Sequence, residues 1–379
     1  MGCGASQPPV DVLHTKKFLD VQKLLLLGTG ESGKTTIIKQ MKILHINGYT
    51  DTERIEKIPF IKQNIHESIY EIVTNMHKID PPVAPERDQT KASIEFIISF
   101  GRQGPVEYTP EYFDHVKTAW KDEGVRRAFD RSNEYQLIDS AEHFLNKIDE
   151  VNTIEYIPTN QDILFCRIKT VAISKIDFKM PVPKKYGGGS AEFWMYDVGG
   201  QRGERKKWFK VFAGIQSVLF LIASSDFDLK LREDPTYNRL RESFELFQEV
   251  YTNVYLKEAA QIVFLNKQDI LRRKIEQGRK LDDYFPEFKN YIPTGKEQCD
   301  TEYDRAKLFM KQKILDIANT SVYVEHMGLK PGQNITEQLA PRDVYVHFTV
   351  ATDTNNIKKV FDSIHESILN RNVQDIGLL

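Results

Sequence analysis

The chain has 379 residues and a formal net charge of −2, long enough for two hydrophobic cores and without the basic excess that marks nucleic-acid binding. Cys3, Cys166 and Cys299 lie far apart and in no metal-ligand spacing, which argues against a disulfide framework and fits a reducing compartment. The sequons at Asn319 and Asn334 then read as chance matches, nothing resembles a signal peptide, and no apolar run approaches the roughly 20 residues that a membrane-spanning helix needs.

Met1-Gly2-Cys3-Gly4-Ala5-Ser6 fits N-myristoylation, with Gly2 the acceptor once Met1 is removed and Ser6 at the required later position. One acyl chain holds only marginally. A second on the adjacent Cys3 would turn reversible contact into stable anchoring, so a lipid-anchored N-terminus is expected.

The apolar run Val21 to Leu27 reads as a buried strand, and Gly28-Thr29-Gly30-Glu31-Ser32-Gly33-Lys34-Thr35 after it is a complete Walker A match leading into the helical stretch from Thr36. Strand, glycine turn and helix N-terminus in that order aim backbone N–H groups at one phosphate-sized spot. Lys34 can reach the outer phosphates and Thr35 can offer its hydroxyl to Mg²⁺. Further strands are expected at Phe193 to Val198, Val218 to Ala223, Gln261 to Leu265 and Val344 to Phe348, alternating with helices, so the fold class is α/β with a mostly parallel sheet. Between about His45 and Tyr156 strand signals vanish and helical periodicity takes over, through Ile58, Ile61, Ile65, Ile69 and Ile72, through Tyr112 to Trp120, and from Phe144 to Ile148. This reads as an all-helical insertion, its first long helix broken by Pro81-Pro82-Val83-Ala84-Pro85 and its linkers at Asn47-Gly48 and Ile157-Pro158-Thr159. Gly187-Gly188-Gly189 reads as a hairpin turn, and Pro331-Gly332-Gln333 as part of a long surface loop.

Three later segments carry chemistry. Asp197-Val198-Gly199-Gly200-Gln201 ends a strand: Asp197 can organise Mg²⁺ through water, Gly200 can lend its N–H to a terminal phosphate, and Gln201 can orient an attacking water. Asn266-Lys267-Gln268-Asp269 selects the base, because an ionised Asp269 only accepts hydrogen bonds and guanine offers two donors on one edge where adenine presents an acceptor. Ala351, in Thr349-Val350-Ala351-Thr352, can give its backbone N–H to the guanine O6, so the nucleotide is GTP or GDP. In Asp162 to Thr170, Thr170 can complete a Mg²⁺ shell and Arg167 can face the charge developing between the β- and γ-phosphates; a lone linker arginine is more often a solvated group, and position alone does not decide.

Taken together, Leu24 to Lys34, the Asp197 to Trp208 run with Arg202, Glu204, Arg205, Lys206 and Lys207, Phe264 to Asp269, and Ala351-Thr352-Asp353-Thr354 resemble the α subunits of heterotrimeric G proteins over essentially the whole chain. The resemblance implies a lipidated segment over 1–20, a Ras-like GTPase domain over 21–46 and 162–379, an inserted helical domain over 47–161, the nucleotide clamped between the two domains, and Arg167 as an arginine finger carried in cis. It implies that Glu31, Ser32, Gly33, Lys34, Thr35 and Thr36 wrap the phosphates, that Asp139 and Ser140 reach the nucleotide from the helical domain, that Leu164, Phe165, Cys166 and Arg167 line its sugar and phosphates, and that Thr35 and Thr170 hold Mg²⁺. Two segments should switch on hydrolysis, Arg167 to Thr170 and Gly200 to about Val211, with Trp208 and the apolar residues after it burying or exposing accordingly. The implied partners are a βγ dimer, a G protein-coupled receptor through the tail Gln374 to Leu379, and an effector enzyme, with no nucleic acid, at the cytoplasmic face of the plasma membrane. Phe165, Val171, Ala172 and Val350 depart from the usual pattern, the stretch before the Walker motif is short, and Ile376 stands where some classes carry the cysteine that pertussis toxin modifies. Leu231 to Pro235, Asn238 to Leu240 and Asp283 to Phe288 look most like the stimulatory, adenylyl-cyclase-activating class, whereas the tail does not. The alternatives are a stand-alone P-loop GTPase with a helical insert that does not pair with βγ, a nucleotide-holding scaffold, and an ATP-using kinase.

Overall fold

The computed structural model describes residues 21–186, 188–294, 297–320, 323–324, 336–337 and 342–375. They form two compact units, one from the segments up to Asn47 and from Thr170 onward, the other from Gly48–Lys169. The fold is a mostly parallel sheet with helices on both faces, interrupted in sequence by an all-helical unit.

In the first unit the strands are β1 (Gln22–Gly28), β2 (Ser174–Pro181), β3 (Ser190–Asp197), β4 (Ser217–Ala223), β5 (Ala260–Asn266), β6 (Tyr323–Val324), β7 (Thr336–Glu337) and β8 (Val344–Phe348). Six of them form one sheet in the order β2-β3-β1-β4-β5-β8, while β6 and β7 pair separately. Every neighbour in the six-stranded sheet is parallel except β2, which runs antiparallel to β3. Side chains alternate between two cores, as the period of a strand requires. Leu25, Leu27, Val218, Phe220, Val263 and Leu265 meet Leu240, Phe247, Phe309 and Ile314 on one face. Leu24, Leu26, Leu219, Leu221, Ile262 and Phe264 meet Ile37, Met41, Ile357 and Phe361 on the other. Each such side chain, fully buried, contributes about 1.5–3 kcal/mol.

Strand order places the site. From β1 the chain reaches β3 on one side and β4 on the other, which is the switch point where open α/β sheets bind ligands beyond their strand ends. Gly28, Asp197, Ala223 and Asn266 all terminate parallel strands at that edge.

Strand β2 is absent from the sequence expectations. Ile176, Phe178 and Met180 alternate with Lys175, Asp177 and Lys179, so the segment forms no continuous apolar run like those that mark the other strands, and the strand ends on a proline at the sheet edge. Gly188 and Gly189, at φ 70° and 87°, lie in the hairpin loop between β2 and β3. Gly2, Cys3, Gly187, Pro331-Gly332-Gln333 and Ile376 to Leu379 lie outside the described residues.

In the helical unit, the 18-residue helix Ile58–Asn75 buries Ile61, Ile65, Ile69 and Ile72 completely against Phe113, Val116, Val125, Ala128 and Phe144. It stops at Asn75, before the proline cluster expected to break it. At the entry to the unit Asn47 and Gly48 both take positive φ, 62° and 73°. At its other end, Thr159 is the N-cap of helix Asn160–Phe165 in a capping box with Asp162, so the expected linker at Ile157 to Thr159 starts a further helix and the compact unit continues to Lys169. Truncating Ile69 to alanine should cost the helical unit about 2–5 kcal/mol, read as faster amide exchange along Ile65 to Val73; protection unchanged by the substitution would show that this helix is not the centre of its core.

Candidate functional site

The phosphate loop is held open by backbone geometry that few side chains tolerate. Gly28 and Gly33 adopt φ of 138° and 105°, and a Cβ on either would stand 2.3 Å from another atom, the Leu221 carbonyl oxygen or the Asn266 Nδ2. Helix Lys34–His45 starts at Gly33 with no side-chain cap, which leaves its first N–H groups facing the loop. Lys34 is buried, and its ammonium donates to the carbonyl oxygens of Gly28 at 2.9 Å and Thr29 at 2.7 Å. Burial pushes its pKa down to about 8, against the pull of Asp197. Gly200 packs directly on this group, since a Cβ there would lie 2.3 Å from Lys34 Nζ.

Beside the lysine is a cluster of oxygen donors. Thr35 Oγ1 donates to Asp197 Oδ2 at 2.7 Å and lies 2.8 Å from Thr170 Oγ1. Asp197 Oδ1 is buried without a hydrogen-bond partner, and burial raises the carboxyl's pKa although Lys34 opposes it. Two hydroxyls and one carboxylate with an orphaned oxygen suit a hard, partly hydrated cation such as Mg²⁺. No cluster of three or more His, Cys, Asp or Glu able to hold a metal occurs among the described residues, so any ion here would complete its shell with hydroxyls, water or ligand oxygens.

The segment after Asp197 is braced rather than loose. Val198 is buried in the core, and a Cβ on Gly199 would meet the Glu204 side chain at 2.7 Å. Gln201 lies over the phosphate loop, its Cγ 3.3 Å from where a Gly30 Cβ would stand. Arg202 and Arg205 both pair with the buried Glu242, at 2.6 and 2.7 Å, and Arg205 also donates to the Gly200 carbonyl at 3.3 Å. Burial favours the neutral Glu242 carboxyl, yet the two arginines outweigh it and hold its pKa down. Trp208 is buried with its indole N–H on the Gly199 carbonyl at 2.8 Å, whereas Phe209 is exposed.

At the other end of the cradle Asn266 joins three loops. Its Nδ2 donates to the Ser32 carbonyl at 2.9 Å, and its Oδ1 accepts from the Ala351 N–H at 2.9 Å and from Thr349 Oγ1 at 3.2 Å. The Ala351 N–H expected on the base is thus shared with this amide. Lys267, at φ 60°, turns the chain and lies 3.5 Å from Asp226. Gln268 is a brace, since its side chain bonds to Ser224 Oγ, the Leu265 carbonyl and the Tyr303 hydroxyl. Asp269 is exposed in the first turn of helix Gln268–Glu276, and its carboxylate enters no ion pair among the described residues.

Sequence reasoning missed what steadies Glu31. This non-glycine residue at φ 65° is gripped by Arg232 at 3.0 Å and Arg239 at 3.1 Å, and Arg239 reaches Asp226 at 2.9 Å. An acidic residue in a phosphate loop was the available signal, because it demands cationic partners.

In the helical unit the expected residues divide. Asp139 is exposed and Ser140 is buried with Oγ unpartnered. Leu164 is buried, and Cys166 is packed in the helical core with its backbone N–H on the Asp162 carbonyl at 2.8 Å, so neither side chain faces solvent. Phe165 stacks on His143 with centroids 4.2 Å apart. Arg167 pairs with Glu67 at 3.2 Å.

Phosphate oxygens beside Lys34 would restore its charge. Nucleotide binding should therefore take up about one proton at pH 9 and almost none at pH 7, measured by calorimetry in buffers of different ionisation enthalpy. The uptake should vanish in Lys34→Ala.

A profile of the family described as G-protein alpha subunit matches residues 10–368. The chain is 48% identical over 357 residues to the guanine nucleotide-binding protein G(f) subunit alpha of Drosophila melanogaster, covering 94% of this chain and 88% of the relative. It is 40% identical over 367 residues to the G(s) subunit alpha of Lymnaea stagnalis, covering 96% and 91%. It is 40% identical over 362 residues to the G(olf) subunit alpha of Homo sapiens, covering 94% and 89%. With a phosphate cradle and a guanine-type loop at the ends of one parallel sheet, the chain belongs to the G-protein alpha subunit family and is a GTP-binding, GTP-hydrolysing subunit of a heterotrimer.

Proposed function

We propose that GTP is bound with its phosphates in the loop Glu31 to Thr36, its base against Asp269, and Mg²⁺ on Thr35 and Thr170 with Asp197 behind a water. The observation that carries this reading is the convergence of Lys34, Thr35, Thr170 and Asp197 beneath Gly200. When bound, the ion neutralises charge on the phosphate oxygens. Lys34 exchanges its two carbonyl partners for β- and γ-oxygens, and the first N–H groups of helix Lys34–His45 add further donors. Gln201 orients the attacking water by accepting a hydrogen bond from it at the amide oxygen, while its amide N–H donates to a phosphoryl oxygen. Arg167 lays its guanidinium on the charge that builds as the bond to the γ-phosphorus breaks. Asp269 accepts from N1–H and the 2-amino group of guanine.

Hydrolysis then acts as a switch. The γ-phosphate ties Gly200 and Thr170 to the cradle, and its loss releases Arg167 to Thr170 and Gly200 to Val211. Restraint then rests on Glu242 with Arg202 and Arg205, and the released segment, with exposed Phe209, presents a surface to a βγ dimer. Acyl chains on Gly2 and Cys3 would hold the protein at the cytoplasmic face of the plasma membrane. A lipid anchor suits a chain in which no described helix is long and apolar enough to cross a bilayer. The tail Gln374 to Leu379 would meet a G protein-coupled receptor. A stimulatory-type effector, adenylyl cyclase, is favoured by Leu231 to Pro235, and purified GTP-loaded protein that leaves the cyclase untouched would refute that assignment.

Single-turnover hydrolysis tests the site. Arg167→Cys should slow it by roughly 10³–10⁵-fold, a range known for arginine fingers of this family rather than one the structure yields, and Gln201→Leu should slow it severely while GTP binding persists. Unchanged rates in both variants would remove their roles. Asp269→Asn should weaken GTP binding by about 100-fold or more through loss of two charge-assisted hydrogen bonds.

A further inference from the structure

We propose that Asn64 is the positioning residue for the catalytic arginine, a step that rests on the assignment of Arg167 to hydrolysis. Asn64 lies on helix Ile58–Asn75, 103 residues before Arg167 in sequence, and is buried. Its Oδ1 accepts the Arg167 backbone N–H at 2.7 Å, and its Nδ2 donates to the Arg167 carbonyl at 3.1 Å. One side-chain amide therefore takes both backbone polar groups of a single residue, as a neighbouring strand would.

The rest of the segment shows why this matters. Cys166 is buried in the helical core and Ile168 packs against the same core, so the residues on either side of Arg167 are turned inward while Arg167 is not. Those apolar anchors fix which way the arginine faces, but apolar contacts are non-directional and leave the tilt of its peptide planes and its position along the chain free to slip. Hydrogen bonds to both its N–H and its C=O remove that freedom. The guanidinium is held as well, by Glu67 one turn further along the same helix, at 3.2 Å. A single surface thus sets the backbone of the arginine and the resting place of its charge.

Asparagine meets the requirement narrowly. Aspartate keeps an acceptor for the N–H but sets an oxygen against the carbonyl, and alanine keeps neither. Hydrolysis is sensitive to such placement, since a shift of about 1 Å in a catalytic group can cost about 100-fold.

The test is single-turnover hydrolysis of γ-labelled GTP by the full-length protein as wild type, Asn64→Ala, Arg167→Ala and the double variant, with GTPγS affinity measured in parallel. Asn64→Ala should slow hydrolysis by about 10–100-fold with GTPγS affinity nearly unchanged, and should cause no further slowing in the Arg167→Ala background. Asn64→Asp, which retains half of the clip, should show a smaller loss with the same dependence on Arg167; it serves where Asn64→Ala fails to bind GTPγS stoichiometrically. Wild-type rates in both Asn64 variants, or equal slowing whether or not Arg167 is present, would overturn the positioning role. A wild-type rate in Arg167→Ala would instead strike the arginine assignment, and the proposal with it.

Discussion

One buried amide makes the phosphate end and the base end of this site a single object. Asn266 donates to the loop at Ser32 and accepts from the loop at Ala351, and it sits so close to Gly33 that no side chain fits between them. A buried amide left unpaired costs about 1–3 kcal/mol, so neither loop can drift without paying for the other. The proposed binding mode, with phosphates at Lys34 and the base at Asp269, needs the two loops held at a fixed separation, and this amide ties them together.

The same logic of enforced partners governs the charged groups. Lys34 is buried with only uncharged oxygens in hydrogen-bond reach, two carbonyls and the Ser32 hydroxyl, and the Asp197 carboxylate keeps one oxygen without a partner. Both charged forms are disfavoured by burial, so the cradle is poised to gain more from a polyanion with its counter-cation than from either separately. By contrast Glu242 is satisfied by two arginines and Glu31 by two others. Lys34 and Asp197, the charges proposed to meet the phosphates and their cation, make no direct ion pair among the described residues, and the charges that hold loops do.

Much of this was legible in the sequence, for a physical reason. The Walker loop, the strand-ending Asp197 and the Asn266 to Asp269 turn are contiguous, and their glycines and carboxylates announce the backbone conformation or the chemistry locally. Strands β1, β4 and β5 show as apolar runs because they are covered on both faces, while β3 and β8, only partly covered, still keep enough apolar residues to be read. What escaped was either non-local or not an apolar run. Strand β2 is an edge strand that alternates charged with apolar side chains and so shows no apolar run, and Gln268 turns inward to meet Tyr303 on a distant helix. The grip of Arg239 on Glu31 and the Asn64 clip on Arg167 join residues that only the fold brings together. The compact helical unit continues past the expected linker because Thr159 caps a helix there, a feature hidden by the proline before it.

The central claim is that Asp269 reads a 2-amino purine while Lys34 holds its phosphates. Calorimetric titration of the wild-type protein with GTP and with inosine triphosphate, which differs only in lacking the 2-amino group, tests it most directly. The account predicts that the inosine nucleotide binds more weakly by about 10–100-fold, the worth of one hydrogen bond to a charged acceptor. Equal affinities for the two nucleotides would contradict it.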